Sequence, residues 1–214
     1  MARSPLACVA HFLVLPVALL ATAASAHGAD VVEIIEHWSL SVGGPETNIS
    51  APQVTMVMSP TGDTETDYFI VALNHWSSPE FGAGGVQVQH WTGDTASDHA
   101  NAPTTSPLHH DGETVRWKQR MSIDGGEVVF EVLDGTSQSW GSFAASGDLR
   151  LRVDAGVDRL NAYLPAVSLT ESGIGYAGNR VSSLILEKLQ WRFAGEEEFN
   201  EMVAPIDIDA DLDP

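Results

Sequence analysis

Beyond residue 38, apolar residues recur with a period of two in short runs, and turn residues separate the runs. Trp38, Leu40 and Val42 alternate with Ser39 and Ser41 before the break at Gly43-Gly44-Pro45. Val54, Met56 and Met58 share a face, and Pro60-Thr61-Gly62-Asp63 then turns the chain. Residues 69–73 form a continuous apolar run, as expected of a strand covered on both faces. Val86 and Val88 alternate with Gln87 and Gln89. Residues 114–123 and 127–133, joined through Asp124-Gly125-Gly126, predict a hairpin. With Gly125-Gly126 as its turn, Arg120 stands opposite Glu131 and Lys118 opposite Leu133. Leu149, Leu151 and Val153 alternate with Arg150 and Arg152, and 181–193 reads as a long late strand with Ile185, Leu189, Trp191 and Phe193 on one side. Residues 30–38 also fit an amphipathic helix, with Asp30 as N-cap and Glu33 three residues later, but a strand suits the end of that segment better. Residues 92–112, rich in Asp, Ala, Thr and Pro, read as a long surface loop. Roughly ten strands at this spacing predict an all-β fold, a two-sheet antiparallel sandwich or jelly roll. It would occupy residues 27–195, followed by an acidic edge strand or tail over 196–214.

The first 26 residues carry Arg3, an apolar run over 9–20, and Ala24-Ser25-Ala26, the small residues a signal peptidase needs. They predict a cleaved signal peptide and a secreted protein, periplasmic or extracellular. The run is too short to remain as a membrane anchor, so no membrane insertion is expected. Cys8, the only cysteine, lies in this leader, so the predicted mature domain rests on its packed core rather than on disulfides. Asp and Glu number 29 against ten Lys and Arg, a formal charge of −19. Such a surface repels nucleic acid and anionic lipid, which drop out as general partners.

The dipeptide His-Trp occurs at 37–38, 75–76 and 90–91, and neighbouring residues on a strand point to opposite faces. Three histidines offer a metal site, but no metal-binding spacing accompanies them, and tryptophans anchoring the core account for the pairs more simply. Residues 206–213 alternate Ile, Ala or Leu with four Asp. That pattern suits a charged edge strand better than calcium, because the glycine and distal glutamate of an EF-hand loop are missing. His27 would become the mature N-terminus and fit a copper-chelating terminus, though the flanking sequence does not look like the monooxygenases that use one. Asn179 and Arg180 follow a glycine-rich stretch and read as part of a turn. No cofactor is expected, calcium being the one alternative.

If Val86 and Val88 face the core, Gln87, Gln89 and Trp91 share the opposite face. Tyr68, Asn74 and Trp76 fall on that same side of the preceding strand. Amides beside aromatic rings suit a sugar, which has an apolar face and a polar rim. Arg116, Lys118 and Arg120 line one strand face, and Arg150 and Arg152 repeat the pattern. In so acidic a chain this points to a carboxylated or sulfated ligand. Arg120 is accounted for by its cross-strand partner Glu131, whereas Arg116 and Lys118 are left unpaired across the hairpin.

With these features, the region from about 38 to 193 resembles the concanavalin A-like lectin and glucanase group, most closely its small polysaccharide lyases acting on alginate or glucuronan. The resemblance implies β-elimination. Arg116 and Gln89 would neutralise the uronate carboxylate and acidify the C5 proton. His75, or a tyrosine such as Tyr68 or Tyr163, would remove that proton, and a phenol would protonate the leaving oxygen. Tyr68, Asn74, Trp76, Gln87, Trp91 and Lys118 would hold the glycan. The sequence departs from the lyase pattern in Gln87-Val88-Gln89-His90, where no Gln and His stand two apart. The family's Arg-rich and Tyr-Phe-Lys-Ala-Gly motifs are missing, as is the glucanase Glu-x-Asp-x-x-Glu motif, which argues against retaining hydrolysis. The expected function is recognition, and in the fuller reading cleavage, of an extracellular acidic polysaccharide. A non-catalytic carbohydrate-binding module and a secreted structural or cell-surface protein are the alternatives.

Overall fold

The computed structural model describes residues 28–44, 52–73, 85–102, 108–145, 147–176, 178–203 and 205–208. The predicted signal peptide, His27, Asn74, His75, Trp76 and the aspartates beyond 208 lie outside the described residues.

The chain folds into two antiparallel sheets that pack face to face as a β-sandwich. Its strands are β1 (Val31–Val42), β2 (Gln53–Met58), β3 (Asp67–Leu73), β4 (Val86–Thr92), β5 (Thr95–Asn101), β6 (Glu113–Asp124), β7 (Glu127–Ser137), β8 (Gly141–Phe143), β9 (Arg150–Val153), β10 (Gly173–Tyr176), β11 (Val181–Phe193), β12 (Asn200–Met202) and β13 (Ile206–Asp207). Sheet A runs β12-β11-β1-β6-β7-β8, with β9 also on β7 and β13 also on β11; sheet B runs β10-β2-β3-β4-β5. The one α-helix among the described residues, α1 (Pro165–Glu171), packs against β2, and a 3-10 turn over Gly178–Arg180 joins β10 to β11.

Residues 30–38 form no helix; β1 is a strand throughout, because β6 and β11 pair with both of its edges. Its inward residues are Ile34, Glu36, Trp38, Leu40 and Val42, all buried. The inner face of sheet B supplies Val54, Met56, Met58, Phe69, Val71, Leu73, Val86 and Val88. The sheets meet where Phe69 of β3 stacks on Phe130 of β7, with ring centroids 4.8 Å apart. The predicted hairpin forms, with Arg120 opposite Glu131 and Lys118 opposite Leu133.

Two strand assignments change. A bulge near Glu187 shifts the phase of β11, so Leu184, Leu186 and Leu189 point inward while Ile185 pairs with the outward-facing Ser39. Residues 92–112 are not one loop, since β5 runs through them at the edge of sheet B. An edge strand exposed to solvent needs no alternating apolar face, and so left no period to read.

Beyond residue 195 the chain returns to sheet A as β12 and β13, and Asp207 Oδ1 accepts the Leu184 N–H at 3.0 Å. The segment between β9 and β10 ties the sheets together. Leu160 N donates to Val31 O (2.7 Å) on sheet A, and Val57 N donates to Ser172 Oγ (2.9 Å) on sheet B. In between, Tyr163 and Ser168 enter the interior.

Candidate functional site

The antiparallel register of β3 and β4 places Tyr68 opposite Trp91, Ile70 opposite Gln89, and Ala72 opposite Gln87. These residues look away from the core, as their alternation with Phe69, Val71 and Val88 predicts. On this outer face Tyr68 and Trp91 lie nearly parallel, with centroids 6.2 Å apart and an interplanar angle of 19°. Both are only half-buried. A ladder of side-chain amides fixes the indole. Trp91 Nε1 donates to Gln89 Oε1 (2.7 Å), Gln89 Nε2 donates to Gln87 Oε1, and Gln87 Nε2 donates to Asn101 Oδ1 on β5 (2.7 Å). The Tyr68 hydroxyl donates to Gly93 O at 3.1 Å. Burial pushes the Tyr68 phenol up, helped by the nearby charges of Asp94 and Glu171.

The ladder corrects the expected role of the glutamines. Gln87 and Gln89 are each 3% exposed, and the Gln89 amide is committed to Trp91 and Gln87. They position the indole rather than present free donors to a ligand.

The basic residues sit on the other outer face, that of sheet A. There β6, β9 and β11 gather Arg116, Lys118, Arg120, Arg150, Arg152, Lys188 and Arg192, seven of the ten in the sequence. Most are paired. Arg120 bonds Glu131 and reaches Glu33 at 3.3 Å, while Arg192 Nε donates to the same Glu33 at 3.0 Å. Arg152 bridges Asp124 (2.8 Å) and Glu127 (2.9 Å), and Lys188 meets Glu201 at 3.4 Å. Lys118, expected to be unpaired, holds Asp134 at 2.6 Å, a partner one position beyond the residue opposite it. Among the described residues Arg116 has one ion-pair partner, Glu187 at 4.0 Å, and its side chain is 61% exposed. Arg150 is exposed, and among the described residues it has no ion-pair partner. His37, also on this face, bonds Gln190 at 2.7 Å; burial pushes its imidazole down, and Lys188 and Lys118 add to that.

The two halves of the expected lyase site are therefore separated. Gln89 belongs to the outer face of sheet B and Arg116 to the outer face of sheet A, divided by a core of about 10 Å and facing opposite ways. They do not converge on one carboxylate. Tyr163 is also withdrawn from that role. Its hydroxyl donates to Glu36 in the interior at 2.5 Å, and burial followed by the Glu36 charge holds it well above the usual phenol range. Nor do the described histidines assemble a metal site, for His37 lies outside sheet A and His90 inside sheet B. Among the described residues there is no cluster of three or more metal-ligating side chains, and no helix long and apolar enough to cross a membrane.

Sequence reasoning missed the interior carboxylates. Glu36, fully buried, accepts from Trp38 Nε1 (2.8 Å), Gln119 Nε2 and Tyr163. Glu113, equally buried, accepts from Ser137 Oγ (2.6 Å), Ser139 N (2.7 Å) and Ser139 Oγ (2.6 Å). Their inward phase on β1 and β6 was the available signal.

Fold and faces define a two-sheet β-sandwich protein whose two outer surfaces differ in chemistry, one aromatic and amide-rich, the other laced with ion pairs. No protein family matches the sequence, and no curated protein matches it either.

Proposed function

We propose that this is an exported carbohydrate-binding protein that takes a glycan on the outer face of sheet B, over Tyr68 and Trp91. The observation that carries the reading is the half-exposed aromatic pair, locked at its indole by the Gln89–Gln87–Asn101 ladder. A rigid aromatic surface accepts the C–H face of a pyranose with little loss of side-chain entropy. The negative charges of Asp94 and Glu171 near Tyr68 favour a neutral sugar there over a uronate. Binding without cleavage suits this geometry, because Gln89 and Arg116, the pair expected to neutralise a uronate carboxylate, stand on opposite surfaces.

A second reading, binding of an acidic polysaccharide, is favoured by the exposed Arg116 and Arg150 on sheet A. One titration separates the two. Tryptophan fluorescence is followed while the protein meets neutral glycans (cellulose, xylan and mannan oligosaccharides) and acidic ones (alginate, pectate and glucuronan). Saturable binding of a neutral glycan that Trp91→Ala abolishes supports the sheet B site. Binding confined to acidic glycans and lost in an Arg116→Ala, Arg150→Ala double variant moves the site to sheet A. Appearance of unsaturated uronate absorbance during incubation would restore a lyase.

A further inference from the structure

β4 and β5 are out of register at one point. His90 pairs with Asp98 and Trp91 with Ala96, which leaves Ser97 as an extra residue bulged from the edge strand. The bulge turns the Ser97 hydroxyl back towards β4, where Oγ lies 2.5 Å from His90 Nδ1. The other ring nitrogen, His90 Nε2, lies 2.9 Å from Asp67 Oδ1 on β3. A carboxylate oxygen can only accept, so Nε2 carries the proton in the neutral ring and Nδ1 is left as an acceptor facing Ser97. Thr92 Oγ1 also donates to that same oxygen, Asp67 Oδ1, at 3.0 Å and helps hold the carboxylate in place. The imidazole is buried and tilts against Phe69, with centroids 5.2 Å apart, whereas Ser97 is exposed to solvent. The His90 carbonyl, 3.1 Å from Oγ, is a second acceptor for the same hydroxyl proton.

From this geometry we infer that Ser97, His90 and Asp67 form an acyl-transfer triad that hydrolyses carboxylic esters. Ser97 is the nucleophile, His90 the general base, and Asp67 the positioning residue that holds the tautomer. The logic is that of a serine hydrolase, with Nδ1 rather than Nε2 facing the serine. Ser97 Oγ bonds to the ester carbonyl carbon as its proton passes to Nδ1. The bond from that carbon to the alkoxy oxygen then breaks, and the leaving alcohol takes the proton from Nδ1. Water, activated in turn by Nδ1, cleaves the acyl-serine, releases the carboxylic acid and restores the hydroxyl. An exposed nucleophile on an edge-strand bulge suits an ester presented by a soluble polymer. The inference stands whether or not the protein binds glycans at Tyr68 and Trp91.

The test treats the whole protein with a biotinylated fluorophosphonate, then reads intact mass and maps the modified peptide; p-nitrophenyl acetate hydrolysis is followed in parallel. The expected result is one adduct, on Ser97, absent in Ser97→Ala. Ester turnover in that variant should fall by about 10²-fold or more. Because Ser97 is exposed and its side chain small, the variant keeps the fold. For Asp67, the imidazole ¹⁵N signals of His90 should report the Nε2–H tautomer in the native protein and lose that bias in Asp67→Ala. No adduct on the native protein, or an adduct and a turnover that persist in Ser97→Ala, would overturn the inference and leave the contacts as a pin for the bulge.

Discussion

Glu36 and Glu113 both point from sheet A into the interior, yet their surroundings move them in opposite directions. Burial pushes the Glu36 carboxyl up, and the hydrogen bonds it receives, among them those from Tyr163, Trp38 and Gln119, do not make up the loss of water. Burial acts on Glu113 too, but the Ser137 and Ser139 hydroxyls and the N–H groups of Ser139 and His110 outweigh it and bring it below the usual range. The stability consequences have opposite sign. Native Glu36 keeps its proton to higher pH than the unfolded chain does, so its contribution is fully present below the unfolded value and declines as pH rises towards the folded one. Glu113 contributes above the unfolded value and loses that contribution as pH falls through the folded one. We therefore expect Glu36→Gln to be as stable as the native protein in acid and more stable at neutral pH, read by urea unfolding across pH. Glu113→Ala should cost at least about 2 kcal/mol at neutral pH by stranding the serine donors, and less in acid.

At the scale of elements, sheet A is held on its outer side by a chain of charges that links four strands. Arg120 of β6 joins Glu131 of β7 to Glu33 of β1, and Arg192 of β11 reaches Glu33 from its other side. The two glutamates are nearly buried beneath the guanidinium groups, at 7% and 6% side-chain exposure. Arg120→Met should cost about 1–3 kcal/mol in chemical denaturation, since it leaves those carboxylates half-shielded and short of a partner. Arg116→Met, whose one ion-pair contact among the described residues is at 4.0 Å, should be neutral within about 0.5 kcal/mol. The pairing of Arg120 with Glu131 was legible because a two-residue turn fixes every opposing pair in a hairpin. The third partner, Glu33, was not, for it lies 87 residues away on a strand whose place in the sheet no local pattern specifies.

Across the whole molecule, acidic groups outnumber basic ones by 29 to ten, and five of the basic ones are already paired on sheet A. The unpaired excess is negative and repels itself. Raising sodium chloride from about 0.01 M to 0.15 M shortens the screening length from about 30 to 8 Å. Exposed ion pairs lose little by this, being worth at most about 1 kcal/mol each. The net expectation is a melting temperature that rises with salt, measured by thermal scans in sodium chloride; a fall would mean that the sheet A pairs dominate. The separation of the two outer faces belongs to this scale as well. Trp91→Ala should alter glycan binding without altering this salt dependence, because it changes no charge.

The sequence by itself determined the class of fold, the hairpin register and, where no bulge intervenes, the direction each residue takes from its strand. A period of two and a two-residue turn are local, and Val88 inward with Gln89 outward follows from the pleat alone. Tertiary structure decided what those directions mean. Gln87 and Gln89 point outward yet are buried and spent on Trp91, a matter of depth that no alternation encodes. Gln89 and Arg116 both point outward, but from different sheets, because which strands share a sheet depends on crossovers between them. Ser97, His90 and Asp67 meet only because β3, β4 and β5 lie side by side and one residue bulges. In the sequence, Ser97 sits in a polar edge strand that reads as a loop, since solvent on its exposed side removes the demand for the apolar pattern by which the other strands were found.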